Sequence, residues 1–344
     1  MQTLATPPRI AATPLAERHL FAVTVILLVA CFAILAGYTP IWFTLLTVCA
    51  FGAPHHWTEL RYFMSRLPSR FGPLQGFFAT AFSGALVLWV FEVILTRLYV
   101  QDVLPPAIAK VGLLAFNQTL IFWMLGLSVL RYKSKSNKVS SLLLANSPYA
   151  ALATLANLLS APGFSLAITY MHPLLGLWIL ERELRRTRKS WLRGYHWSLL
   201  SIPVALAALI WVLHGSGDAH PSGQLAGMLN GNVIGSKLFS NASTTMLLAI
   251  FGFLQMVHYG VWVIGIPIAN QSWKRWNLDR IPVLTTKPSL RPFLLAAIGL
   301  SLSATLFFWF GFCIDYNTVN EIYIAVSMLH VLAEIPFIFW MCES

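Results

Sequence analysis

Apolar runs of about twenty residues recur along nearly the whole chain, and one such run is the length a helix needs to cross the hydrocarbon core of a bilayer. They fall at 19–37, 41–63, 74–97, 108–130, 141–160, 164–182, 197–215, 242–268, 293–313 and 320–341. In lipid, backbone polar groups must be satisfied within the spanning structure, so runs of this kind fold as helices. Composition agrees. Of 344 residues, 57% are hydrophobic and only 10% charged, whereas a soluble domain carries roughly 25% charged residues. The expected fold is all-α: a polytopic transmembrane helical bundle of about ten spans. It comprises a tail at 1–18, a single helical domain at 19–341 and a short tail at 342–344.

Charge sets the orientation. With the N-terminus in the cytoplasm, one side holds Arg9, Arg18, Arg61, Arg66, Arg70, Arg131, Lys133, Lys135 and Lys138. The same side holds Arg182, Arg185, Arg186, Arg188, Lys189, Arg193, Lys274, Arg275, Arg280, Lys287 and Arg291. Of the 23 Lys and Arg, only Arg97, Lys110 and Lys237 fall elsewhere. The positive-inside rule then predicts both termini in the cytoplasm, and a multi-pass protein of a bacterial inner membrane. The net charge of +11 is read as topology and contact with anionic lipid, not as nucleic-acid binding. The first run is too long for a signal-peptide core and is read as a retained span. Residues 215–242 form a long outer loop rich in Gly, Ser and Asn. Cys31, Cys49, Cys313 and Cys342 show neither a zinc nor a disulfide spacing and are read as small apolar residues. The tripeptide Ala161-Pro162-Gly163 reads as a tight turn between the fifth and sixth runs.

Ionisable side chains inside spans are costly, and each is a functional hypothesis by default. His19, His196, His214 and His220 sit at helix ends or in a loop. His55, His56, His172, His258 and His330 lie within runs, all on even-numbered spans. At 1.5 Å per residue, His55 lies about 21 Å from the outer end of its helix, His172 about 12 Å, His258 about 24 Å and His330 about 15 Å. These depths allow one buried site to be shared. His55 and Glu59, and again His330 and Glu334, are i,i+4 pairs on one helical face. Bundle-core di-iron sites use Glu and His from facing helices in this way. The set His55, His56, Glu59, His172, His258, His330 and Glu334 is therefore a candidate metal site for one or two transition ions. Imidazoles with carboxylates favour iron or manganese over copper. Tyr170, Gln255 and Tyr259 are candidates to orient the imidazoles. A membrane histidine also serves as an interhelical hydrogen-bonder, and that alternative stays open here. Glu92, near the outer end of the third run, is paired with Arg97 in this reading.

The segment Gly52-Ala53-Pro54-His55-His56-Trp57-Thr58-Glu59 resembles the Brp/Blh family of membrane-embedded carotene-cleaving oxygenases. Pro54, His55 and Glu59 match that family's Pro-His followed by an acid four residues on. His258 and His330 loosely echo its later histidines. The family has Gly and Asp where this chain has His56 and Glu59. The resemblance implies an iron-dependent oxygenase that cleaves a polyene.

The functional expectation is thus a non-haem iron oxygenase or oxidase acting on a lipophilic substrate such as a carotenoid, polyene or acyl chain. Its partners would be the bilayer, a hydrophobic small molecule and an electron-donor protein. Two alternatives remain: a haem-binding electron carrier, since haem takes axial histidines, and a proton-coupled transporter, in which His and Glu relay protons.

Overall fold

The structure is a computed structural model and describes residues 14–68, 72–133, 139–217, 243–270, 278 and 281–341. Lys135, Lys138, His220, Lys237, Trp273, Lys274, Arg275, Trp276, Arg280, Cys342 and most of the 215–242 loop lie outside the described residues. Among the described residues there is no strand. The chain is an all-α bundle, and eight of its helices are long and apolar enough to cross a membrane.

The helices are α1 (Pro14–Tyr38), α2 (Pro40–Thr47), α3 (Ala53–Ser65), α4 (Gln75–Val100), α5 (Pro106–Lys133), α6 (Val139–Leu159) and α7 (Ala161–Thr187). They continue as α8 (Leu192–Leu199), α9 (Ser201–Leu213), α10 (Thr244–Gly260), α11 (Ile266–Asn270), α12 (Pro282–Thr286), α13 (Arg291–Ile314) and α14 (Tyr316–Met341). Two π-helical turns interrupt this order. Val48–Gly52 joins α2 to α3, and Val261–Gly265 joins α10 to α11. The expected run at 41–63 is thus helical throughout, but its second half carries His55, His56, Glu59 and Arg61.

Three local expectations change. Ala161-Pro162-Gly163 is the first turn of α7, and Ser160 is the whole break from α6. Proline suits a first helical turn, where its missing N–H has no partner to lose. Ser160 caps the helix by accepting the Gly163 N–H at 3.1 Å. Arg97 pairs with Glu321 rather than Glu92, whose Oε1 accepts from the Thr96 hydroxyl at 2.9 Å. The run at 197–215 is also broken, at Leu200. Pro203, three residues on, has no N–H to return to the preceding turn.

The helix α10 is the axis of the bundle. In its span 67% of the residues are buried, against 17% for α1 and for α13, which face outward. On one side α10 packs with α1, α2 and α9 through Val29, Phe43, Leu209, Phe253 and Leu254. On the far side α4, α5 and α14 share a second core of Phe77, Leu88, Phe116, Leu127 and Leu332. The π turn after α10 packs against both α3 and α7. The short helix α12 tucks Ile281, Val283 and Leu284 against Met64 and Leu294.

Candidate metal centre

The helix α3 begins where the chain cannot complete an ordinary helical turn. Pro54 lacks an N–H, and the stretch before it widens into a π turn. The carbonyl of Ala50 accepts the indole N–H of Trp309 on α13 at 3.1 Å instead. A second π turn begins at Val261, three residues after His258 and ahead of Pro267. Such turns re-aim side chains and are frequent at functional sites. Here they flank the two helices that bring His55 and His258 together.

Five histidines converge. His55 lies 4.1 Å from His56, 4.9 Å from His330 and 5.4 Å from His258, ring centre to ring centre. His172 lies 4.8 Å from His258 and 5.9 Å from His330. His56 lies 4.4 Å from His330. One ligand atom from each of His55, Glu59, His258 and His330 falls within 4.8 Å of all the others, the spacing of a metal-binding group. His172 and Glu334 adjoin them. The i,i+4 spacing on α3 and α14 therefore works across helices, not within them. Glu59 on α3 faces His330 on α14, with Oε2 to Nε2 at 3.2 Å. Glu334 on α14 faces His172 on α7, with Oε2 to Nδ1 at 3.1 Å.

The hydrogen-bond inventory is more telling than the distances. His55 Nδ1, His56 Nε2, Glu59 Oε2, His172 Nδ1, His258 Nε2, His330 Nε2 and both oxygens of Glu334 are buried without a hydrogen-bond partner. Unsatisfied buried polar atoms are uncommon and costly. Seven residues leave such atoms at one place. For His258 the tautomer is fixed: Nδ1–H donates to the Pro173 carbonyl at 3.2 Å. That carbonyl can only accept, so Nε2 keeps its lone pair and presents it to the cluster. Gly176 permits this approach, since a Cβ there would come within 3.1 Å of His258 Nδ1.

Aromatic rings close both ends. Tyr259 stacks on His55 at 4.2 Å, Tyr323 stacks on His56 at 5.6 Å, and their hydroxyls meet at 2.9 Å. Gly52 makes room for Tyr323, because a Cβ there would collide with its hydroxyl. At the other end Trp262, Tyr62, Phe63 and Phe337 form a floor of rings. Beyond it, buried Glu183 accepts from the Tyr62 hydroxyl at 3.1 Å and from Arg66 at 2.6 Å. The His330 side chain keeps 11% of its surface exposed, while its Nε2 is buried.

All of the candidate residues His55, His56, Glu59, His172, His258, His330 and Glu334 thus meet in one place. Of the orienting residues, Tyr259 touches the cluster. Tyr170 donates to the Leu247 carbonyl at 2.9 Å, and Gln255 is half-buried one turn ahead of His258. Sequence reasoning missed Tyr323. Its signal was spacing, since it precedes His330 by seven residues, two turns on the same face. Comparison of the chain with protein-family models, curated proteins and solved structures finds no match.

Proposed function

We propose that this protein is a membrane-embedded non-haem metalloenzyme, with iron as the metal, that oxidises a lipophilic substrate. The observation that supports this reading is the convergence of five imidazoles and two carboxylates, each with a buried polar atom that has no hydrogen-bond partner. Neutral imidazoles and carboxylates together suit iron. A transition ion would give the two buried carboxylates the opposite charge that their facing imidazoles lack when neutral. Iron at such a site supplies dioxygen chemistry. The protein's own part is geometric: α3, α7, α10 and α14 fix the donors, and the aromatic rings limit water.

A polyene, carotenoid or acyl chain is the substrate class that can approach from the bilayer. The resemblance of residues 52–59 to the Brp/Blh oxygenases supports both the metal and the polyene. Electrons, where the reaction consumes them, come from a partner protein. The haem alternative fits less well. A porphyrin would have to part imidazole rings that already touch one another. The proposal includes ten spans, with α2–α3 and α6 as the other two, both termini in the cytoplasm and a bacterial inner membrane as the location.

Protein purified in detergent without chelators should contain stoichiometric iron and show no Soret band. It should cleave or oxygenate a polyene aerobically and lose that activity on chelation. Full activity in metal-free protein would end the metalloenzyme reading, and an intense Soret band would replace it with the haem carrier. Reporter fusions after Ser344 and within 215–242 should report opposite sides of the membrane; the same side for both would sink the ten-span topology.

A further inference from the structure

We infer that the centre holds two metal ions rather than one, the second on His172 and Glu334; this rests on the metal reading above. The four donors His55, Glu59, His258 and His330 form one compact group. They already make up a full tetrahedral set, or four of the six positions of an octahedron. Unpartnered donor atoms remain beyond them: His172 Nδ1, His56 Nε2 and both oxygens of Glu334. In total eight buried donor atoms of the cluster have no hydrogen bond, more than one transition ion accepts.

Two contacts locate the ions. Ligand atoms each about 2.1 Å from one ion and roughly at right angles to each other stand about 3.0–3.2 Å apart. His330 Nε2 and Glu59 Oε2 are 3.2 Å apart, and His172 Nδ1 and Glu334 Oε2 are 3.1 Å apart. Neither pair is aligned as a hydrogen bond, for all four atoms remain unsatisfied. Each pair instead has the spacing of neighbouring ligands on one ion. His330 belongs to the first pair and Glu334 to the second. They are one turn apart on α14, an offset of about 6 Å along the axis. Side chains converging inward from that offset can meet the spacing of two-metal sites, about 3.5–4 Å. Glu334 has one oxygen toward His172 and the other free, the arrangement of a carboxylate that bridges two ions. His56, beside His330 and within electrostatic reach of His172, supplies the remaining nitrogen.

The test is anaerobic titration of chelator-stripped, detergent-solubilised protein with Fe(II), followed by removal of excess and metal analysis. Wild-type protein should retain two irons per chain. After oxidation it should show a Mössbauer spectrum of a coupled, diamagnetic diferric pair. Glu334→Gln, which keeps the side chain's volume, and His172→Ala should each lower the content by about half. One iron per chain in the wild type, with His172→Ala also binding one, would overturn the second subsite and leave the metalloprotein reading intact. Two irons retained by both variants would overturn the assignment to His172 and Glu334. No iron bound by the wild type would bring down the proposed function itself. Because the wild-type stoichiometry is decisive alone, a variant that misfolds does not blunt the test.

Discussion

Two groups of polar residues are buried in this bundle, and they are built on opposite plans. Between α5, α6 and α7, Asn117 donates to Asn157 Oδ1 at 2.9 Å and to the Ala161 carbonyl at 3.1 Å. Asn157 donates to the Leu114 carbonyl at 3.1 Å, and Ser165 donates to Asn117 Oδ1 at 3.0 Å. Gln118 and Thr154 add a further bond at 2.9 Å. Each amide of this asparagine knot has protein partners, and the groups it meets are neutral. Between α3, α7, α10 and α14, His55, Glu59, His172, His258 and Glu334 are buried and His56 and His330 partly buried, but eight of their polar atoms meet no hydrogen-bond partner. Both arrangements put polar atoms where solvation is lost. The knot recovers the cost internally, as interhelical glue does. The cluster does not do so with its own atoms, and that deficit is the ground for proposing it as a metal site.

The difference can be broken most forcefully at the ligands. His55→Ala and His330→Ala should each abolish metal binding at the first subsite and lower oxidation activity by at least about 100-fold, on the scale of loss of a catalytic ligand. The double variant should be little worse, since groups that act as one unit do not add. Variants that insert, fold and keep wild-type metal would make these histidines glue, and the contrast would vanish. In the knot, Asn117→Ala should leave metal content unchanged.

The next effect is on stability. On the proposed reading a metal would bind the cluster only when the protein is folded, so loading at about 100 times Kd should stabilise it by about 2.7 kcal/mol. Thermal melts in detergent, with iron and after chelation, measure it. An Asn117→Ala protein should show the same metal-dependent rise from a lower starting point. A melt indifferent to metal would count against the cluster as a binding site.

A smaller effect is expected within the knot. Asn117→Ala leaves the Asn157 carbonyl oxygen and the Ser165 hydroxyl without a partner, at about 1–3 kcal/mol. The double change Asn117→Leu with Asn157→Leu should cost less than the sum of the two single changes, because removing both partners strands fewer groups. Equal additivity would show that the two amides are not one network. Smallest of all, His214→Ala, on an exposed residue, should shift stability by less than about 0.5 kcal/mol and leave metal content intact. A clear loss of metal there would extend the site to the outer surface.

The chain's sequence by itself determined the helical class and which residues would gather. Runs of apolar residues leave lipid-spanning helices as the outcome, and an ionisable group inside such a run is conspicuous because so little else there is polar. That is why His55, His56, Glu59, His172, His258, His330 and Glu334 were legible, even though they are spread over almost 280 residues of chain. The asparagine knot was not legible in the same way, since a neutral amide costs less in a span than a charge and stands out less. Tertiary structure alone decided the partners. Spacing places Glu59 beside His55 and Glu334 beside His330, yet each carboxylate turns to a histidine of another helix. Arg97 likewise reaches Glu321 rather than Glu92. Spacing along a helix fixes which face a side chain occupies, but not which helix that face meets. That depends on packing, and packing here depends on Gly52, Gly176 and two π turns, through which α3 and α10 bring their histidines to one point.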